Sequence, residues 1–155
     1  MFDKSQRSTF PYWFAHWCAY NMTALNCGKW RFKYLFHDLE KPFIKLFFEY
    51  PKVQKFHRSH NRHHVEWLEK KLNKAQTTED ALKILNKFDF EGAVIDWECA
   101  RFTKSEQPRD AAKEFVYMFY SKAFPEKFPN VVSKVYNEFR DRSIETMKYM
   151  GVYHE

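Results

Sequence analysis

The stretch KFHRSHNRHHVEW, Lys55 to Trp67, holds four of the chain's seven histidines: His57, His60, His63 and His64. It reads as part of one helix from about Pro51 to Asn73. At about 100° per residue, Val53, Phe56, His57, His63, His64 and Trp67 all fall within roughly 60° of His60. The histidines therefore share the apolar face, while Arg58, Arg62, Glu66 and Glu69 point more nearly outward. A solubilising basic helix would do the reverse. One buried histidine is commonly satisfied by backbone or a carboxylate. Several on one inward face each need a polar partner. A shared cation satisfies them together, and neutral imidazole is the commonest metal ligand. His60 and His64, four residues apart, can bind one ion from a single helix. On this projection His60 ranks first as a ligand, His64 and His63 next, and His57 last.

The rest of the chain supports a helical frame for that face. Its 155 residues suit one domain, 1–155, with the motif-bearing part at about 12–103 and C-terminal helices at about 108–150. Aromatic residues make up 20% and there are only 3 glycines, which favours helices over a many-turned β fold. Ser8 or Thr9 caps a helix from about Pro11 to Leu25, with Trp13, Trp17, Tyr20 and Ala24 at helical spacing and His16 beside them. A second helix is expected over about Lys29 to Glu40, and a short one through PFIKLFFEY until Pro51. Thr77 to Asp80 cap a helix through Asn86. Further helices cover about Phe90 to Phe102, RDAAKEFVYMFYSKAF, and about Pro129 to Met150, where Gly151 ends the last. The expected class is all-α.

The net charge of +6 and sequence pI near 9.1 suit an anionic small-molecule partner. Lys and Arg are spread along the chain, so nucleic acid is not expected. No long uncharged apolar run or signal-peptide pattern is seen, so no membrane association is expected. Cys18, Cys27 and Cys99 show no paired spacing and read as reduced thiols of a cytoplasmic protein. A homodimer is compatible with all of this.

A second stretch carries chemistry: FHDLEKP, Phe36 to Pro42. His37-Asp38 closes an apolar helix, so both side chains can turn into a cleft. Pro42 should break the chain just after the pair. Lys41 follows three residues after Asp38, where an ammonium can meet a phosphate or carboxylate. Asp96 lies in the otherwise apolar GAVIDWECA, where an unpaired carboxylate is costly or protonated. It is explained by a metal, by a salt bridge to Arg101 or by a cap-like bond.

The order His16, His37-Asp38, HNRHHVEW (His60 to Trp67) and Asp96-Trp97 resembles the HD-domain superfamily. It is most similar to a family of small HD-like proteins of bacteria and phages with an HDxSKF … HNxHHxExW … DW pattern. The resemblance covers about residues 12 to 103; Glu40 stands where that pattern has Ser, and Pro42 precedes Phe43. It implies an HD-like helical bundle with a central metal site. His37 and Asp38 would be core ligands, with Asp38 able to bridge two ions. Asp96 would be the distal ligand and His16 the first, while His60 and one of His63 or His64 complete a second position.

The expected activity is metal-dependent phosphohydrolysis of a nucleotide or other phosphoester. Asp38 and Lys41 would serve the chemistry, with Lys41, Arg58, Arg62 and Arg101 on the phosphate oxygens. One or two ions of Mn, Fe, Co, Ni or Zn suit the mixed donor set. Two alternatives are an HD-type di-iron oxygenase and a non-catalytic metal-binding module.

Overall fold

A computed structural model describes residues 1–105, 111–118 and 133–153. The described part is all-α: its elements are helices, and its one β feature is an isolated bridge between Phe2 and Lys104. No helix among the described residues is long and apolar enough to cross a membrane.

Helix α1 spans Phe10–Asn26. Thr9, in extended conformation, accepts from the Tyr12 N–H, and Pro11 occupies the first turn, where no donor is lost. The helix ends in a Schellman turn. Gly28 takes φ 63°, its N–H donates to Leu25, and Lys29 N–H reaches back to Ala24.

The expected second helix does not form. A 3₁₀ turn at Phe32–Phe36 is followed by extended His37 and by Asp38 at φ 61°, the one described non-glycine residue with positive φ. The helical turn then resumes as α2, Glu40–Ile44. The break therefore precedes the His-Asp pair's own side chains instead of following them. Pro42 sits within the first turn of α2, where its missing N–H has no helical partner to lose.

The long histidine helix is also two helices. α3 spans Tyr50–His60 and α4 spans Val65–Leu72. Between them Asn61 and His64 are extended, and the His64 N–H closes a turn onto the Asn61 carbonyl at 3.1 Å. Tertiary partners hold that turn: Asp89 N–H donates to the Arg62 carbonyl at 3.0 Å, and Asn61 Nδ2 donates to Glu40 at 3.1 Å.

Helix α5 (Thr78–Leu85) carries the expected Thr77 cap. α6 (Phe90–Thr103) is capped by Asp89, whose Oδ1 accepts from Gly92 N–H at 3.1 Å. α7 covers Ala111–Met118 and α8 covers Ser133–Tyr149. The remainder of the expected C-terminal helices, 108–110 and 119–132 with Val132, lies outside the described residues. Gly151 at φ 68° ends α8 as expected.

α6 is buried on almost every side, at Ala93, Val94, Ile95, Trp97, Cys99 and Ala100 among others. A helix apolar all round belongs at the centre of a bundle. It packs against α1, α7 and α8. Fully buried Leu68, Leu85, Val135, Phe139 and Met147 complete one core around it. This architecture carries Asp96 to the end of the core where α1 and the His37-Asp38 loop meet.

Candidate metal centre

Two indoles fix the loop that bears the pair. Trp13 Nε1 donates to the Asp38 carbonyl at 2.8 Å, and Trp17 Nε1 donates to the Leu35 carbonyl at 2.9 Å. Both come from α1, one turn apart, and both are half-buried. A left-handed residue with a side chain carries a conformational cost, and aspartate is among the residues that tolerate it best. The indole on its carbonyl helps hold Asp38 there. Tyr20, a turn and more further along α1, lies flat on His37 with ring centroids 3.5 Å apart and planes 9° apart.

Asp38 is 2% exposed and lies between two groups of donors. The first is His16, His37 and Asp96; the second is His57, His63 and His64. Within each group one ligand atom per residue lies within 4.8 Å of the others. Asp38 Oδ1 is 2.9 Å from His57 Nε2 and 3.5 Å from His37 Nε2. Its Oδ2 is 3.6 Å from His16 Nε2 and 2.5 Å from Lys41 Nζ. On the first side His16 Nε2 meets Asp96 Oδ1 at 3.1 Å.

The electrostatics favour neutral imidazoles beside ionised carboxylates. Burial holds His37 and His64 well below the ordinary histidine value, and lowers His63 as well. Burial opposes the charge on Asp38, but His37, Lys41 and His57 outweigh it and keep the carboxyl well below its usual range. For Asp96, burial is outweighed mainly by the hydrogen bond from His16. His57 goes the other way: burial lowers it, while Asp38 and Glu40 together raise it above the ordinary value. Its Nδ1 donates to Glu40, which turns Nε2 towards Asp38 and His64.

These donors fit a transition metal. Among the described residues, the buried Nε2 atoms of His37 and His63 have no hydrogen-bond partner. His64 Nε2 and His57 Nε2 face each other at 2.7 Å. Two lone pairs cannot share that gap, so a proton or a cation must satisfy them. A cation also resolves the orphaned nitrogens, which are otherwise expensive to bury.

The structure thus brings together His16, His37, Asp38, Lys41, His63, His64 and Asp96. It does not bring His60. α3 ends at that residue, its ring stacks on Phe56, and its Nδ1 lies 2.8 Å from the Phe56 carbonyl, on the exposed side. His57, ranked last by the helical projection, is instead 1% exposed and central. The projection failed because it assumed one continuous helix. The turn at Asn61–His64 swings His63 and His64 back over His57.

The three arginines expected on phosphate are elsewhere. Arg58 pairs with Glu66 at 3.1 Å on the surface, Arg62 is exposed, and Arg101 pairs with Glu98 at 2.7 Å. The pairing of Arg101 with Glu98 also removes the salt-bridge account of Asp96.

Sequence reading missed Glu40 and Asn61, which hold His57, and Trp13, which holds Asp38. Glu40 showed only as a departure from the pattern it resembled. Two small cavities flank the cluster. One, of about 140 Å³, reaches His16, Asp38 and Lys41; the other, of about 150 Å³, reaches His37, His63 and Asp38. Comparison with family models, with curated proteins and with solved structures finds no match for this chain.

Proposed function

We propose that the protein is a metal-dependent phosphohydrolase of HD-like design. The observation that carries the proposal is the position of Asp38, one carboxylate between two groups of three donors with a half-buried ammonium on its outer oxygen. His16, His37 and Asp96 would hold one ion and His57, His63 and His64 a second, with Asp38 shared. The ion, of Mn, Fe, Co, Ni or Zn, supplies Lewis acidity and a water acidic enough to act near neutral pH.

The chain's own residues do the rest. Lys41 stays charged because Asp38 outweighs the effect of burial, and it stands at the wall of the opening that reaches His16 and Asp38. There it takes up charge that develops on phosphoryl oxygens. Glu40 and Asn61 fix the ring of His57, and Tyr20 covers His37 from water. In the reaction a water oxygen bonds to phosphorus, the ester P–O bond breaks, and the water's proton ends on the leaving alcohol.

The test is elemental analysis of the purified protein followed by a phosphoester screen with each divalent metal. A metal-loaded protein that cleaves no phosphoester, under any of these ions, would sink the hydrolase. Five imidazoles and two carboxylates in the donor set also suit iron, which supports an oxidative reaction as a second reading. An iron-loaded protein whose visible spectrum changes on exposure to oxygen would support it, and a colourless one active with manganese would refute it.

A further inference from the structure

The two cavities beside the cluster differ in electrical sign. The one at His37 and His63 carries the carboxylates of Glu40 and Asp89, and its lysine, Lys33, is bound to Asp89 at 2.6 Å. An anion is repelled there. The other gathers Arg7, Lys41 and Lys45 over a floor made by His16 and Asp38. Among the described residues three cations and one carboxylate line it, and that carboxylate is bound to Lys41 at 2.5 Å.

The cations come from separate parts of the chain. Arg7 precedes α1, Lys41 lies in α2, and Lys45 follows α2. Lys45 Nζ donates to the Ser8 carbonyl, which holds the ammonium at the rim. Ser8, Thr9 and Phe10 line the same wall, so the positive end of the α1 dipole adds to the field. Tyr12 and Tyr50 supply flat apolar surface beside the charges. At about 140 Å³ the cavity is smaller than the roughly 300–1,000 Å³ of sites that enclose a drug-sized ligand.

We infer that this cavity is the anion subsite of the centre, taking the phosphoryl end of a compact phosphomonoester, with Arg7 and Lys45 as binding residues. The substrate class rests on the phosphohydrolase reading; the anion site itself does not. The acidic opening on the other face is closed to the same ligand by charge.

Inorganic phosphate is the probe. Its affinity for the full chain is measured by calorimetry, for the wild type and for Arg7→Gln and Lys45→Gln. Each substitution removes a charge-assisted contact and weakens binding about tenfold, with metal content unchanged. Lys45→Glu, a reversal at an exposed position, abolishes binding. Lys70→Gln, an equal loss of charge on exposed α4 surface, leaves it unchanged. Phosphate affinity equal to wild type in both Gln variants overturns the subsite.

The two readings fail separately. Phosphate binding that depends on Arg7 and Lys45, in a protein that cleaves no phosphoester, defeats the hydrolase and leaves the anion site standing. Phosphoester cleavage with KM unaltered in both variants does the opposite. A KM lower for a nucleoside monophosphate than for a small alkyl phosphate overturns the assignment of compact size.

Discussion

Replacing Asp38 with asparagine separates its two roles, as counter-charge to Lys41 and as shared ligand. Asparagine keeps the shape and tolerates the φ of 61°, so the backbone is undisturbed. The charge is lost, and the Lys41 ammonium is left without its partner at 2.5 Å. Removing one partner of a buried pair costs about 3–5 kcal/mol. The Lys41 side chain keeps 17% exposure against 1% for Asp38, so water recovers part of the loss and the lower end, about 3 kcal/mol, is expected. For a domain of this size each kcal/mol moves Tm by about 2–4 °C, which gives a fall of about 6–12 °C in the metal-free protein. Adding Lys41→Met to that background removes the orphaned charge and restores most of the Tm. Metal uptake returns in neither variant. Thermal melts by circular dichroism and elemental analysis after reconstitution read the two effects independently. An Asp38→Asn protein that binds as much metal as wild type refutes the shared carboxylate, and an unchanged Tm refutes the pair.

Other consequences follow from the same geometry. His60→Ala should leave metal content unchanged and shift stability by less than about 0.5 kcal/mol, as surface substitutions do. His57→Ala should lower metal affinity at least about tenfold in a competition titration; the reverse ranking would restore the continuous-helix projection. Trp13→Phe removes the donor to the Asp38 carbonyl and should cost about 1 kcal/mol in urea unfolding, with weaker metal binding. Asp89→Ala removes the cap of α6 and the Lys33 pair and should cost about 1 kcal/mol near neutral pH. Burial opposes the Asp89 charge, but Lys33 and the Gly92 N–H hold its carboxyl below the ordinary 3.8. Its contribution is therefore complete above pH 3.8 and fades as pH falls through the folded-state value. The gap between wild type and variant should narrow in that acid range, and a gap that widens there would contradict the assignment.

The sequence made the helical class legible through composition and caps: Thr9, Thr77 and Gly151 each act where the pattern places them. His37-Asp38 and Asp96 were legible because a polar pair at a break and a carboxylate in an apolar helix are both costly without a partner. The turn at Asn61–His64 was not. No proline or glycine marks it, and its holding contacts come from Glu40 and Asp89, 21 and 27 residues away from the groups they hold. Local periodicity carries no trace of such contacts, so His60 was placed inside and His57 at the margin. The same limit hid Arg7 and Lys45, which meet only because the chain before α1 folds against α2.

The flat stack of Tyr20 on His37 gives the centre an optical reporter of its own. A phenol ring 3.5 Å above an imidazole senses that imidazole's charge in its near-ultraviolet transitions. Occupancy at His37 can then be followed as a change in tyrosine absorbance and ellipticity, without a label and without a substrate. Tyr20→Phe would silence the signal while leaving the ligands in place, so the chain's own chromophore distinguishes an ion at this position from one at His57, His63 and His64.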